Sequence, residues 1–204
     1  MSIKLKAHRQ KSRNSTISTG QNQLRIIGGK WRGRKLEFPL VKGLRPTGDR
    51  VRETLFNWLA PDIIDSHCLD LFAGSGAMGL EALSRGAHSV TFVEKNGIAA
   101  NAIQRHCLRL QADNACVLHV DALQWLRSST PATAFNLVFI DPPFIEQLLQ
   151  PAIVLLEENG WLANSATIYI ETDRNAPEPE VPPGWQPYRS KITGQVAYRL
   201  FIRN

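Results

Sequence analysis

The chain of 204 residues is short of cysteine, methionine and tyrosine (three, two and three), and no acidic residue precedes Glu37. Each shortage excludes something. Cys68, Cys107 and Cys116 form no CxxC pair and no His/Cys ligand spacing. Neither a disulfide framework nor a metal site is expected, and reduced, cytoplasmic surroundings are the default. No apolar run approaches the roughly 18 residues of a membrane span, so no membrane partner is expected. The opening MSIKLKAHRQKSRNSTISTGQNQ lacks the apolar segment of a secretory signal. Its basic, hydroxyl-containing, acid-free composition is shared with mitochondrial presequences. Its weak apolar periodicity favours instead a flexible basic tail over residues 1–23.

Charge is divided unevenly. Residues 1–52 hold 14 Lys/Arg against Glu37 and Asp49, a balance of +12, whereas 53–204 hold 10 against 16 acids, a balance of −6. Cations clustered at one end are the footprint of a polyphosphate partner. The bland alternative is a solubilising tail, but the basic residues continue into a segment patterned like folded chain. Leu24–Gly28 and Arg34–Phe38 read as two strands around GKWRG, a hairpin within 24–44. On it Arg25, Lys30, Arg32, Arg34 and Lys35 are expected to meet RNA phosphates. Trp31 has two even readings, stacking on an unpaired base or packing on the main domain.

In LRPTGDRVRETLFNWLAP, Thr47 or Asp49 is expected to cap a helix that opens near Arg50, with Val51, Leu55, Trp58 and Leu59 at helical spacing. From residue 67 short apolar runs alternate with helical stretches. HCLDLF, SVTFVE, ACVLHV, FNLVFID and TIYIET read as strands, with helices Ala77–Ser84, Gly97–Leu110, Ala122–Arg127 and Gln147–Glu158 between them. RSKITGQVAYRLFIRN reads as two strands around Gly194. Residues 45–204 therefore predict an α/β, doubly wound, mostly parallel, seven-stranded Rossmann-like sheet with an antiparallel C-terminal edge strand.

Asp70-Leu-Phe72-Ala73-Gly74-Ser-Gly76-Ala-Met-Gly79 ends a strand and opens a helix. This GxGxxG pattern also serves nicotinamide enzymes, where backbone N–H groups meet a pyrophosphate. Asp70 separates the readings. A carboxylate there repels a pyrophosphate but suits the α-ammonium of a methionine moiety. Glu94, closing the next strand beside Lys95, suits ribose hydroxyls. Asp121, before Ala122, suits the adenine amine and equally well a helix cap. Asp141-Pro142-Pro143-Phe144 follows the fourth strand. An exocyclic base amine is a poor nucleophile, because its lone pair is delocalised into the ring. A carboxylate and a carbonyl aimed at its hydrogens favour rehybridisation, prolines stiffen the turn, and Phe144 offers a face to an extruded base.

DLFAGSGAMG, Glu94, Asp121 and DPPF in this order resemble the class I S-adenosyl-L-methionine-dependent methyltransferases. RIIGGKWRGRKL, LRPTGDRVRETLFNWL and GQVAYRL are similar to segments of the bacterial RsmD family of 16S ribosomal RNA guanine-N2 methyltransferases, over roughly residues 24–202. The resemblance implies methylation of guanine 966 of 16S rRNA in the small ribosomal subunit or its assembly intermediate. It implies that Asp70, Phe72, Ala73, Gly74, Gly76, Glu94, Lys95, Asp121 and Ala122 hold the cofactor, with Arg45 and Thr47 in a segment folded over it. Asp141, Pro142, Pro143 and Phe144 would orient and stack the guanine, and Arg50 and Arg52 would cover the cofactor or contact phosphates. A monomer is expected. Three rivals stand beside this reading: adenine-N6 methylation of DNA or RNA, a nicotinamide-dependent oxidoreductase, and a non-catalytic RNA-binding assembly factor.

Overall fold

A computed structural model of the chain describes residues 22–39, 41, 47–143 and 147–204. Most of the expected basic tail, with Arg45 and Phe144, lies outside the described residues. Strands β1 (Asn22–Arg25) and β2 (Lys35–Phe38) pair antiparallel through a 3-10 turn at Gly29–Trp31. The period-2 pattern of KLEF puts Leu36 and Phe38 on one buried face and Lys35 and Glu37 on the other. That apolar face must be covered, and helices of the main domain cover it. Leu24, Ile26, Trp31, Leu36 and Phe38 are part of one buried cluster with residues of three helices. The hairpin is therefore fastened to the domain along its length.

Helix α1 (Asp49–Trp58) buries Val51, Leu55 and Phe56. Its cap is Gly48, with no side-chain hydrogen bond, so neither Thr47 nor Asp49 caps it as expected. Both side chains serve other partners: Asp49 binds Arg52 at 2.6 Å and Arg25 at 3.3 Å, and Thr47 turns inward to two acids. Then follow β3 (His67–Asp70), α2 (Ala77–Ser84), β4 (Ser89–Glu94), α3 (Gly97–Leu110), β5 (Ala115–His119), α4 (Ala122–Ser128), β6 (Phe135–Ile140), α5 (Leu149–Glu158), β7 (Leu162–Asp173), β8 (Trp185–Thr193) and β9 (Val196–Arg203).

The seven strands lie in the order β5-β4-β3-β6-β7-β9-β8. The first five are parallel, and β9 runs antiparallel to both its neighbours. The terminal hairpin thus supplies the antiparallel flank, with β8 outermost and β9 one place in. Near-continuous apolar runs are what strands covered on both faces require. In β6, Leu137 and Phe139 join the cluster under α1, α2, α3 and the hairpin, while Val138 and Ile140 join the one under α4 and α5. Phe139 sits between Phe56 at 5.9 Å and Tyr169 at 6.2 Å. Truncating such a ring to alanine costs about 3–5 kcal/mol.

The winding reverses at β3. Strands β4 and β5 lie to one side, β6 and β7 to the other, so a crevice opens beyond the carboxyl ends of β3 and β6. Asp70 and Asp141 stand at those two ends. Among the described residues no helix is long and apolar enough to cross a membrane, and no group of three acids, histidines or cysteines could hold a metal ion.

Candidate active site

The glycine-rich turn carries the chain from β3 into α2. Gly74 (φ 54°) and Gly76 (φ 76°) adopt left-handed backbone that side chains disfavour. A Cβ on Gly79 would lie 2.2 Å from the Phe92 ring, so the third glycine lets α2 press onto β4. The turn is pinned by Ala73 N–H to the Val93 carbonyl (3.0 Å) and Gly76 N–H to the Ala73 carbonyl (2.7 Å). Glu94 accepts Gly74 N–H with one oxygen and Asn96 N–H with the other, both at 2.7 Å. Phe72 is half-buried against the second core cluster.

Three acids gather at this sheet edge. Asp70 is buried and accepts Gly79 N–H at 2.9 Å, closing the amino end of α2. Burial pushes its carboxyl up to about 7; the Gly79 N–H opposes the rise and the Glu94 charge adds to it. Asp141, half-buried, accepts the Thr47 hydroxyl at 3.3 Å. Burial and then the Glu171 charge push it well above the carboxylate range, against the Thr47 hydrogen bond. Glu171 on β7 accepts the same Thr47 hydroxyl at 3.3 Å and the Tyr169 hydroxyl at 2.7 Å, and burial raises it too. Beyond Asp141, Pro142 is buried and Pro143 exposed.

The remaining residues proposed for a cofactor lie along the same sheet edge. Asp121 caps α4 by accepting Gln124 N–H at 3.0 Å, with Ala122 buried behind it. Lys95 is exposed, and its carbonyl accepts the His119 ring at 3.1 Å. The acids, the backbone-open glycines and the edge position suit a cationic amino-acid moiety joined to a nucleoside.

Two residues with an RNA contact as one of their readings, Arg52 and Trp31, are buried. Arg52 is 1% exposed and donates to the carbonyls of Thr47 (3.2 Å) and Arg25 (2.9 Å) and to Asp49 (2.6 Å) and Glu81 (3.4 Å). Trp31 is 5% exposed, with its backbone N–H on the Ser84 hydroxyl at 3.0 Å and Lys30 over its ring at 4.3 Å. The indole packs in the core cluster under the helices of the main domain, the second of its two readings. Arg25, Lys30, Arg32, Arg34, Lys35 and Arg50 are exposed. Glu171 and Glu81 were not singled out from the sequence. TIYIET carried a signal for the first, since an acid ending a parallel strand reaches the same edge as Asp70 and Asp141. A lone acid in the otherwise apolar helix AMGLEALS was the signal for the second.

Residues 24–202 match the family model described as Conserved hypothetical protein 95. The chain is 52% identical over 185 residues to ribosomal RNA small subunit methyltransferase D of Escherichia coli K12, covering 91% of this chain and 92% of that protein. Against the protein of the same name from Haemophilus influenzae the identity is 47% over 183 residues, 89% of this chain and 94% of the other. A solved structure of a putative methyltransferase, yhhF, from Escherichia coli superposes with a TM-score of 0.81 and 52% identity over 90% of this chain and 99% of that one. An RNA methyltransferase from Salinibacter ruber in complex with S-adenosyl-L-homocysteine shares the fold at 15% identity and a TM-score of 0.59, over 78% of this chain and 94% of that one. With the match running from the hairpin to the last strand of the sheet, the chain belongs to the RsmD family.

Proposed function

We propose that the chain transfers the methyl group of S-adenosyl-L-methionine to the exocyclic N2 of guanine 966 of 16S rRNA, in the small ribosomal subunit or its assembly intermediate. The observation that carries this reading is the meeting of Asp70 and Asp141 at the reversal of the sheet, one beside the glycine turn and one before Pro142. The sulfonium donor supplies an activated methyl group and leaves as S-adenosyl-L-homocysteine.

Asp70 receives the α-ammonium of the donor. A buried carboxyl whose proton affinity lies near neutrality gains most from a cation placed against it. The same acids disfavour a pyrophosphate, which sets the nicotinamide reading aside. Glu94 holds the ribose: each of its oxygens accepts one backbone N–H, and each keeps a lone pair for a hydroxyl. Asp121 spends one oxygen on capping α4 and turns the other to the adenine amine. Phe72, Ala73, Lys95 and Ala122 line this edge, and Arg45 and Thr47 belong to the segment over the donor.

Asp141 and the Pro142 carbonyl accept the two hydrogens of the guanine amine, Pro143 stiffens the turn, and Phe144 stacks on the extruded ring. Exposed Arg25, Lys30, Arg32, Arg34, Lys35 and Arg50 dock the RNA backbone, and one copy of the chain suffices. Labelled methyl transfer into unmodified small subunits, followed by nucleoside analysis, tests this. N2-methylguanosine is expected. N6-methyladenosine would move the reading to adenine, and no incorporation would defeat it. Asp141→Ala should lower turnover about 10²–10⁴-fold while donor affinity stays nearly unchanged. Full turnover in that variant removes Asp141 from the chemistry.

A further inference from the structure

Asp141, Thr47, Glu171 and Tyr169 form one continuous line of oxygens. Asp141 Oδ2 lies 3.3 Å from Thr47 Oγ1, which lies 3.3 Å from Glu171 Oε2, and that oxygen accepts the Tyr169 hydroxyl at 2.7 Å. The acids come from adjacent strands, β6 and β7, and Thr47 reaches in from the segment ahead of α1. The position of Thr47 is itself held, because Arg52 donates to its carbonyl.

A hydroxyl owns one hydrogen. Thr47 makes a full hydrogen bond to each acid when it donates to one and accepts from the other, an arrangement in which one acid carries a proton. The titratable groups facing the pair are Asp70 from β3 and the phenol of Tyr169 on β7, with the Tyr198 phenol on β9 behind Tyr169. A third carboxyl and two phenols leave the repulsion between two bare carboxylates standing. Burial raises both acids, and the Glu171 charge raises Asp141 further, so the proton is shared within the pair, and access to the crevice decides which acid is bare when an amine arrives. Glu171 is 4% exposed, whereas Asp141 borders the crevice. Burial penalises the charged form more at the deeper site. The Tyr169 and Thr47 hydrogen bonds oppose the rise at Glu171, and burial outweighs them.

We propose that Glu171 is a positioning residue that works as a neutral acid: it donates to Thr47, which turns the Thr47 hydrogen onto the Asp141 carboxylate. This rests on the role given to Asp141 above and deepens it. When the pair is instead reversed, with the proton on Asp141, two hops restore the working state. The Asp141 hydrogen passes to Thr47 Oγ1 as the Thr47 hydrogen passes to Glu171 Oε2, and no charge is created. An amine that offers its hydrogens to Asp141 selects the arrangement in which that acid is anionic. When the lone pair of the amine takes the methyl carbon and the C–S electrons go to sulfur, the proton lost from nitrogen returns to Asp141 and leaves by the crevice.

The test compares single-turnover methyl transfer into unmodified small subunits across pH at saturating donor. Glu171→Leu and Thr47→Val should each lower kcat about 10²-fold, with the donor KM moved less than about threefold. Glu171→Gln, an isostere of the neutral acid that still donates to Thr47, should recover most of that loss, as should Thr47→Ser. Glu171→Gln should also remove a neutral-carboxyl C=O infrared band seen in the parent at pH 7. A Glu171→Gln enzyme as slow as Glu171→Leu, or Thr47→Val at the parent rate, overturns the proposal. Should Glu171→Leu not fold, the two Thr47 variants and Glu171→Gln decide alone. Asp141→Ala separates the two levels. Full activity there defeats the Asp141 reading itself, whereas an inactive Asp141→Ala beside unaffected Thr47 and Glu171 variants defeats only the arrangement through Thr47.

Discussion

The joint that holds the hairpin and the crevice at the sheet edge both bury carboxyl groups, and they treat them oppositely. Glu81, fully buried in α2, accepts Ile27 N–H at 2.8 Å and Gly28 N–H at 2.7 Å, and pairs with Arg85 at 2.7 Å and Arg52 at 3.4 Å. Its charge is answered from every side. Asp70, Asp141 and Glu171 have hydroxyl and backbone donors, and burial drives the proton affinity of all three upward. Paired charge fixes the hairpin to the domain. Carboxyl groups held by neutral donors make a place where a cation and an amine are welcome. The first arrangement serves stability, and the second gives up stability to bind.

The largest effect should come from breaking the paired side. Glu81→Ala takes one of the two acids from buried Arg52, leaves Arg85 without its carboxylate and frees two backbone N–H groups, and removal of one partner of a buried pair costs about 3–5 kcal/mol. Denaturant unfolding should show a loss of that order, and the hairpin should lose protection from hydrogen exchange before the sheet does. A loss below about 1 kcal/mol would mean that the joint does not depend on this carboxylate.

How much of this was legible beforehand follows the range of the interactions. Helices α2 and α3 and strand β4 were readable to their last residue, since glycine, asparagine and apolar period are local signals. Strand β7 was readable only in its second half. Its start at Leu162 includes the polar Asn164 and Ser165, and it pairs with β6 across a register shift. The burial of two side chains was hidden for one reason. Arg52 and Trp31 sit among exposed cations in the sequence, and their burial depends on distant partners: Glu81, 29 residues away, for Arg52 and the core cluster under the helices for Trp31, whose backbone N–H is held by Ser84 53 residues away. Thr47 and Asp49 look alike as caps until the acids and arginines that claim them are placed in space.

A smaller effect, of opposite sign, is expected on the crevice side. Asp70 titrates near 3.8 when free and about 7 when folded, so the folded state holds the proton more tightly. Its contribution therefore favours folding below pH 4 and is withdrawn as pH rises from about 4 through 7. Asp70→Asn keeps an acceptor for Gly79 N–H and removes the buried charge. At pH 8 the ligand-free variant should be more stable than the parent by about 1–2 kcal/mol, with the gain vanishing near pH 4. Donor affinity should move the other way. In the parent it should strengthen as pH rises through 7, with proton release on binding below that pH, and in Asp70→Asn it should be lost. Isothermal calorimetry in two buffers of different ionisation enthalpy reads both. A variant that binds the donor normally would take Asp70 out of the site.

The smallest effects should separate cations that are free for phosphate from those already engaged. Each phosphate contact releases counterions, and its loss should flatten the dependence of log K on log salt by about 0.7–0.9. Arg32 and Arg34 are exposed on the turn of the hairpin and Lys35 opens β2, so alanine at any one should weaken binding at low salt and reduce the slope by about one contact. Arg25 is exposed as well, but it spends its guanidinium on Asp49 at 3.3 Å. An ion pair at the surface is worth little, about 0–1 kcal/mol, and a phosphate can compete for the arginine. Arg25→Ala should therefore reduce the slope by less than Arg32→Ala and leave Asp49 with Arg52 alone. Asp49→Ala supplies the complementary case: it frees Arg25, and RNA binding should tighten slightly at low salt with a steeper slope. If Asp49→Ala and Arg25→Ala both leave the slope of the parent unchanged, the amino end of the hairpin lies outside the RNA contact, and the docking surface begins at its turn.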